Sequence, residues 1–458
     1  MVGVAAHITL WKVLSSAASA GIVIVTARQL GPQGRGVFVL LITLATFALL
    51  ICGLGVNIAA RLELVAEIDP IRCGDYLGLS LALILLQAGV CVVSVTIVAP
   101  ALHVHLSLLG LGLFGVFGGS FLGGLLLVEA INAYGFTVRA AVIDAASSIV
   151  QLLIVALASS RGARSVPIFI GALTVGYLLE SLLCLVALRQ ARAGIRPLFH
   201  WAQWVRLLRR GPPGIAVTLG QMAAFKLDRY LVVLYLTPAA VGIYSVAATF
   251  PEMLRILPAA MGQPIFYGLA SGSATPGSFR RGRLLCVGLM TAAVGVAIVT
   301  APLSVRVVFG QRYAAAVPSL RLLLLAEFGL TFYYLDSASL SGMGRVGESA
   351  KAVAVGVVLT VLGDVVLVPA HGISGAALAS VIAYSAMGLV ASLLLRRRLS
   401  RRALHVRGKA SSPSMVAGSA ALLSEQPVKP SAPYPASSSL RRRPVRRSRR
   451  RQAPTRDP

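Results

Sequence analysis

The chain has 458 residues, of which 57% are hydrophobic and only 12% are charged, with a mean hydropathy of +0.83. A water-soluble globule of this composition would leave apolar surface with nothing to pack against, so that class is excluded. The net charge of +27 suggests nucleic acid, but 17 of the 42 basic residues lie in 396–458, beside only two acidic ones. A protein that binds a groove of nucleic acid needs its basic residues on a folded surface, so no nucleic-acid partner is expected.

From about residue 8 to residue 395, apolar stretches long enough to cross a bilayer alternate with short polar breaks. A helix of that length spans the hydrocarbon core with its backbone hydrogen bonds closed internally. The first stretch follows no basic segment and no cleavage site, so it is expected to remain as a span. The pattern predicts an all-α polytopic membrane protein with about twelve transmembrane helices, at 8–29, 36–60, 77–100, 108–131, 141–160, 166–188, 212–236, 241–268, 284–304, 319–340, 351–368 and 374–395.

The basic residues between these spans are distributed unequally. Basic connections remain in the cytoplasm, so the richer set and both termini are predicted on the cytoplasmic side of the cell membrane. An even number of crossings, such as twelve, satisfies this orientation. The richer set is Arg61, Arg72, Arg139, Arg189, Arg192, Arg196, Arg206, Arg209, Arg210, Arg280, Arg281, Arg283, Arg345 and Lys351, against Arg35, Arg161, Arg164, Arg306 and Arg312 in the alternate set.

A short repeat divides the chain into two halves. Four residues after the first span recur after the seventh at an offset of 206: Leu30, Pro32, Gly36 and Phe38 correspond to Leu236, Pro238, Gly242 and Tyr244. Duplicated halves are common in transporters, where the substrate path runs between them. We expect an N-terminal six-helix lobe at 1–188, a basic cytoplasmic linker at 189–211, a C-terminal six-helix lobe at 212–395 and a disordered basic tail at 396–458.

The linker and the tail are the two basic segments. In the linker, Trp201, Trp204, Val205 and Leu208 follow helical spacing with Arg206 and Arg210 on the other face, which is typical of an interfacial helix. A basic loop that only satisfies the topology rule is the alternative. The tail is rich in Pro, Ser and Arg and has too few apolar residues to fold. Anionic lipid at the inner leaflet is its expected partner, with a topology anchor or a dispensable extension as alternatives.

Ionisable residues within the predicted spans are the strongest functional signal, because each costs roughly 2.5–3.5 kcal/mol at the bilayer centre. Lys226 and Arg229 are three residues apart and share one helix face, whereas Asp228 points elsewhere. One interpretation pairs them with acids such as Glu327 or Asp364 to hold helices together. The other places them in a water-filled cavity, where they bind an anionic head group.

Other charges complete the candidate site. Arg28 and Arg255 are further substrate-binding candidates, and Glu327, Asp336 and Asp364 are candidates for carrying a coupling ion. Three acids closer to predicted span ends are interpreted as structural: Glu129, Asp144 and Glu180. The five cysteines are scattered without metal-ligand spacing and are interpreted as buried thiols, so neither metal nor cofactor is expected.

Four segments resemble the bacterial polysaccharide-biosynthesis exporters, the lipid-linked oligosaccharide flippases of the multidrug/oligosaccharidyl-lipid/polysaccharide exporter superfamily. The resemblance covers about 1–395 and leaves out the tail. Where relatives often carry Asn in the eleventh helix, this chain has Asp364. The segments are ARQLGPQGRGVFVL (27–40), LDRYLVVLYLTPAAVGIYSVA (227–247), VVFGQRYAAAVPSLRLLLLA (307–326) and LSGMGRVGESAKAVAVGVVLTVLGDVVLVPAHGISGAALASVIAY (340–384).

The resemblance implies two six-helix lobes around a central cavity that opens alternately to each side of the membrane. Its implied substrate is a polyprenyl-diphosphate-linked glycan. We expect Arg28, Lys226, Arg229 and Arg255 to attract the diphosphate, and Tyr230, Tyr333 and Tyr334 to lie near the sugar. Association with a glycan polymerase or with glycosyltransferases is a further expectation.

Two rival functions stay open. A cation-coupled small-molecule or multidrug exporter of the same fold would favour carboxylates in its cavity. A membrane polysaccharide polymerase or ligase would need catalytic residues in a sizeable outside loop, but the connections there are short and hold no nucleophile–base pair. We therefore expect a transporter that is not an enzyme.

Overall fold

The structure is a computed structural model that describes residues 2–65, 69–100, 107–191, 194–210, 212–270 and 276–410. These residues are almost entirely helical and contain no strand. The chain is an all-α, multi-pass membrane protein, as predicted. Its helices are α1 (Val2–Gly53), α2 (Val56–Glu63), α3 (Cys73–Val98), α4 (Leu108–Ala133), α5 (Thr137–Ser160), α6 (Val166–Gln190), α7 (Trp201–Arg210), α8 (Pro212–Lys226), α9 (Asp228–Tyr235), α10 (Pro238–Leu254), α11 (Ile256–Ala270), α12 (Pro276–Val308), α13 (Val317–Gly342), α14 (Val346–His371) and α15 (Ile373–Ala410).

Ten helical stretches of the described residues are long and apolar enough to span a membrane. The first of them holds two crossings, because α1 is kinked at Gly31 (φ 64°) and Pro32. The seventh predicted span is not among the ten, because α8 and α9 are short and meet at charged residues. Counting two crossings for α1 and one for α8 together with α9 gives the twelve predicted crossings.

We call α1–α6 the N-lobe and α8–α15 the C-lobe, and each set contains six of the twelve crossings. Each lobe has its own buried apolar cluster, and a further cluster joins Ala27, Val39 and Leu40 of α1 to residues of α9, α10, α12 and α13. The part of this cluster around Ala27, Phe309 and Tyr313 lies near the repeated turns, at the end of the bundle that we call the turn end, and Cys286 and Met290 extend the cluster along α12. All five free cysteines are buried, as expected of thiols that pack as small hydrophobes.

The two copies of the sequence repeat contact each other at the turn end. A Cβ built on Gly36 would lie 1.7 Å from the Pro238 carbonyl oxygen, and one built on Gly242 would lie 1.9 Å from the Pro32 carbonyl oxygen. The contact is thus reciprocal between residues that match at the offset of 206. Only glycine allows two helices to approach this closely.

Hydrogen bonds between the lobes are also concentrated near this end. The Tyr313 hydroxyl donates to the Ala27 carbonyl at 2.7 Å, and the Tyr230 hydroxyl donates to the Leu40 carbonyl at 3.1 Å. Arg28 donates through Nε to the Val308 carbonyl at 2.7 Å. The turn end is therefore closed.

The linker follows the surface of the N-lobe. Its segment before α7 bonds to the start of α3, where the Leu198 N–H donates to the Gly74 carbonyl at 2.8 Å. The predicted linker helix is present as α7, and its half-exposed Arg206 pairs with buried Glu63 at 2.6 Å and with exposed Asp69 at 3.0 Å. Leu207 is fully buried beneath the helix.

The C-terminal region differs from expectation at its start. The last helix, α15, continues to Ala410, so residues 396–410 are helical where the sequence predicts a disordered tail. Intrinsic propensity explains the extension, because Arg and Leu are good helix formers and prolong a helix already begun in the span. The rest of the predicted tail, 411–458, lies outside the described residues.

Candidate functional site

A central cavity of about 370 Å³ lies between the lobes. Both limbs of α1 and Leu173 of α6 line it from the N-lobe, and α8, α9 and α10 line it from the C-lobe. Its charged lining residues are Arg35, Lys226, Arg229 and Glu252. Lys226 and Arg229 thus line this cavity together, and their binding of an anionic head group stays a prediction.

The break between α8 and α9 positions these two cations. The Arg229 N–H donates to Oδ1 of Asp228 at 2.8 Å, and the other oxygen of Asp228 accepts from the Tyr244 hydroxyl at 2.6 Å. Asp228 is thus bonded within the C-lobe and does not line the central cavity, whereas Lys226 and Arg229 do. Arg229 is 7% exposed and pairs with Glu252 across the cavity wall.

Arg35 is the cation that the sequence interpretation missed. It was assigned to an outside turn, but the second limb of α1 begins at Pro32, so Arg35 occupies the first turn of a buried helix. Its Nη1 donates to Thr26 Oγ1 at 2.8 Å, and its guanidinium carbon lies 5.5 Å from the centroid of the Phe38 ring. Its Nε is buried and bonds to no described residue.

These residues give the cavity an uneven charge. Three cations face one carboxylate in its lining, so an excess of two positive charges remains after Arg229 and Glu252 pair. Lys226 has no ion-pair partner within 4.0 Å among the described residues. Unpaired cations in a partly desolvated site attract anions more strongly than they do in water.

Three other predicted site residues belong to ion pairs inside the C-lobe, which corrects their assignment. Arg255 on the α10–α11 junction pairs with Glu327 of α13, and its guanidinium lies 4.3 Å from the Phe225 ring centroid. Asp336 accepts hydrogen bonds at Oδ2 from Arg283 Nη2 at 3.2 Å and from Ser392. Because their charges are compensated and they do not line the central cavity, these groups hold helices together.

The single substitution Arg255→Gln is expected to destabilise the protein by about 3–5 kcal/mol, because it leaves Glu327 buried without a counter-charge. The apparent melting temperature of the purified protein in detergent measures this loss. The paired substitution Arg255→Gln with Glu327→Gln removes the uncompensated charge and should recover most of it. An Arg255→Gln variant with the same apparent melting temperature as the wild type would show that the pair contributes no stability.

Arg28 also lies outside the central cavity. Its exposed side chain donates to the carbonyls of Val307 and Val308, at the C-terminal end of α12. Cations are favourable at a helix C-terminus, where carbonyl groups are unpaired. Arg28 therefore joins the lobes at the turn end instead of facing a ligand.

The three tyrosines expected near the sugar do not line the central cavity either. Tyr230 bonds to the Leu40 carbonyl, and the Tyr333 hydroxyl accepts from Gln221 Nε2 at 2.7 Å. Tyr334 lines a small separate cavity beside α11.

Asp364 differs from Glu327 and Asp336, the other two coupling-ion candidates, because it is unpaired among the described residues. It is fully buried on α14, and neither of its carboxylate oxygens has a hydrogen-bond partner among the described residues. It lies within electrostatic range of Asp228 and of Tyr244. An isolated buried carboxylate is so costly that such a group binds a proton or a cation.

A second and larger cavity, of about 770 Å³, lies within the N-lobe. Its lining includes Lys12, Asp144, Tyr177 and Glu180, and also Glu129, which pairs with Arg61 at 2.5 Å. The sequence assigns structural roles to all three acids, and only Glu129 is found in an ion pair. We call this the N-lobe cavity.

Comparison with known proteins supports the fold. No family model matches the chain. An uncharacterized membrane protein of Methanocaldococcus jannaschii is 28% identical over 101 residues, which are 22% of this chain and 20% of that protein. The match therefore spans about a fifth of the relative's length.

Solved structures share the architecture over most of the chain. An inward-facing multidrug resistance MATE family transporter of the MOP superfamily is 17% identical, with a TM-score of 0.64 over 84% of this chain and 95% of that one. The lipid II flippase MurJ in an inward closed conformation is 11% identical, with a TM-score of 0.66 over 86% and 88%. An outward-facing MATE transporter reaches 0.60 at 14% identity, over 87% and 95%. The chain has the fold of MATE and MurJ transporters, and the polysaccharide-exporter family stays a prediction.

Proposed function

We propose that this protein is a flippase that moves lipid-linked oligosaccharide or polysaccharide precursors across the cytoplasmic membrane by alternating access. The observation that carries the proposal is the excess of positive charge in the central cavity, supplied by Arg35, Lys226 and Arg229. A diphosphate cannot enter hydrocarbon without compensating charge. Buried cations between the lobes lower that barrier, and Arg35 Nε has a free donor for an anion's oxygen.

The lipid tail has a route out of the central cavity. Met253 and Ile256 line its wall, yet they are 38% and 54% exposed, so this wall reaches the surface of the bundle. Apolar side chains at that surface are expected to face acyl chains. A cargo held by its diphosphate at Arg229 can therefore leave its isoprenyl chain in the bilayer.

The closed turn end supports alternating access. Orientation by the basic connections puts the turn end outside and both termini in the cytoplasm. The N-lobe cavity extends towards the opposite end, near Lys12 and Arg61. This arrangement suits loading from the cytoplasm, with the reciprocal glycine contact as the barrier that must open for release.

Asp364 is the remaining candidate for coupling transport to an ion gradient, since Glu327 and Asp336 are paired. Asp364→Asn keeps the side-chain shape but removes the exchangeable charge. We expect the variant to bind cargo normally and to lose the acceleration that an imposed proton or sodium gradient gives the wild type. Transport in vesicles with and without each gradient measures this, and an unchanged acceleration would remove Asp364 from the mechanism.

The proposal is tested by reconstituting the full-length protein in vesicles with a fluorescent short-chain isoprenyl diphosphate that carries a disaccharide. A membrane-impermeant quencher reports which leaflet holds the probe. We expect the protein to make the inner-leaflet probe accessible faster than empty vesicles do. Equal rates in protein-containing and empty vesicles would contradict the proposal.

The second candidate function is a cation-coupled exporter of small molecules. The likeness to the MATE transporters and the acids of the N-lobe cavity favour it. Efflux of an organic cation such as ethidium from the same vesicles, without movement of the lipid probe, would establish it in place of the flippase. No described residues favour the polymerase or ligase, so we do not propose it. Lipid-linked glycan, anionic lipid at the tail and glycan-assembling enzymes stay the expected partners.

A further inference from the structure

The N-lobe cavity contains carboxylates that the fold does not use. Glu180 is only 6% exposed, yet it forms no hydrogen bond or ion pair with a described residue. Asp144 is half-buried on the facing helix, and its carboxylate likewise has no partner in the described part of the chain. Buried carboxylates without partners are costly, so a site that retains two of them is expected to have a ligand.

Successive turns of the same two helices line the N-lobe cavity and the central cavity. On α1, Lys12 lines the N-lobe cavity, and Ser16 and Ser19 line the central cavity one and two turns further on. On α6, Leu173 lines the central cavity, and Glu180 lines the N-lobe cavity two turns later. At 1.5 Å per residue, the seven residues from Lys12 to Ser19 correspond to about 10 Å. A ligand with its diphosphate in the central cavity can extend into the N-lobe cavity.

The chemistry of the N-lobe cavity suits sugars. Carboxylates accept hydrogen bonds from hydroxyl groups, and the ring centroids of Phe121 and Tyr177 lie 4.9 Å apart on the same wall. Aromatic faces provide apolar surface for the C–H face of a sugar ring. The volume of about 770 Å³ is within the range of ligand pockets and far exceeds that of an ion.

We propose that the N-lobe cavity binds the sugar units next to the diphosphate, and that Asp144 and Glu180 restrict them to neutral or amine-bearing sugars. This inference rests on the proposed flippase function. Because Arg61 pairs with Glu129, Lys12 is the one cation left beside Asp144 and Glu180 among the described lining residues, whose net charge is negative. A sugar with its own carboxylate would add to that charge, and like charges at close range are unfavourable. The acid pair therefore selects the glycan, and the cations of the central cavity select the diphosphate.

Binding of two matched probes to the purified full-length protein tests this inference. Both are short-chain isoprenyl diphosphates that carry a disaccharide, and they differ only in whether the second sugar is a glucose or a glucuronic acid. We expect the wild type to bind the neutral probe about tenfold more tightly. The double variant Asp144→Asn with Glu180→Gln should reduce the difference to less than about threefold, because the repulsion is removed.

The matched control is Asp69→Asn, which removes an exposed carboxylate of the same lobe and should keep the wild-type preference. Elution of each variant as a monodisperse peak in size-exclusion chromatography verifies folding. The comparison of the two probes on the wild type is independent of any variant's folding. Equal affinity of the wild type for both probes, or an undiminished preference in the double variant, would overturn the inference.

A third probe separates this inference from the proposed function. An isoprenyl diphosphate without sugar should bind equally to the wild type and to the acid-pair variant. If this probe binds and requires Lys226 and Arg229, but the sugars are not discriminated, the glycan inference fails and the flippase proposal stands. If this probe does not bind the wild type, the flippase proposal itself fails.

Discussion

Replacing Lys226 and Arg229 together by Gln is expected to weaken binding of an isoprenyl diphosphate by more than about 100-fold. The two substitutions remove two charge-assisted interactions, each contributing roughly 1.5 kcal/mol or more, and about 1.4 kcal/mol corresponds to a factor of ten. Both side chains line the central cavity, and Lys226 is not compensated by an ion pair. Equilibrium binding to the purified protein measures the effect.

Two control variants distinguish the effect of the cavity charge on binding from an effect of reduced protein stability. Arg321→Gln with Lys351→Gln removes the same two residue types from exposed C-lobe positions and should leave binding unchanged. Arg229→Gln with Glu252→Gln removes the ion pair without leaving Glu252 unpaired, and it should weaken binding less than the first double variant. Equal affinity of the wild type and the Lys226 and Arg229 variant would contradict the cationic site.

Adding a single methyl group at the reciprocal glycine contact is expected to open the turn end. In Gly36→Ala the new Cβ would lie 1.7 Å from the Pro238 carbonyl oxygen, and in Gly242→Ala it would lie 1.9 Å from that of Pro32. Neither contact is sterically allowed, so the lobes must separate there. We expect these variants to lose transport and to increase the distance between spin labels placed on either side of the turn end.

Gly295→Ala provides the matched control, because its Cβ would meet no atom within 4 Å on α12. It should transport at the wild-type rate with the wild-type label distance. If Gly36→Ala also kept the wild-type distance and rate, the turn end would not be the barrier. A variant with normal abundance but separated lobes distinguishes opening from misfolding.

The fold was predictable because membrane insertion imposes one dominant pattern on the sequence. The bilayer requires about twenty apolar residues per span, and the polar breaks between spans are short. The pattern also put the boundary between the first two spans at 30–35, where the structure has the kink at Gly31 and Pro32. It did not anticipate that α15 would run to Ala410, because the end of a span does not end a helix whose next residues also favour helix.

The site was predictable only for residues that are close in sequence, because helical periodicity then fixes their relative positions. The three-residue spacing of Lys226 and Arg229 predicts a common helix face. The two residues lie on either side of the break between α8 and α9, and both line the central cavity. The partners of Arg255 and Asp336 lie on other helices, 72 and 53 residues away in the chain, and one sequence does not specify which helices pack together. Arg35 was missed because a boundary error of one turn moved it from a buried helix into a connection.

The N-lobe acids show a second limit of sequence interpretation. Glu129, Asp144 and Glu180 have the same chemistry and similar positions near predicted span ends, yet only Glu129 has an arginine within reach. Pairing depends on the packing of α2 against α4, which brings Arg61 to Glu129. The distinction between a structural acid and a ligand-binding one therefore appears only in three dimensions.

We propose that the cations of the central cavity face a chamber between the two lobes and hold a diphosphate there. A cryo-electron microscopy structure of the full-length protein with a bound isoprenyl diphosphate tests this most directly. We expect the diphosphate to lie in the central cavity, in contact with Arg35, Lys226 and Arg229, with the lipid tail leaving past Met253 and Ile256. A diphosphate bound only outside that cavity, with the three cations contacting protein groups alone, would contradict the account.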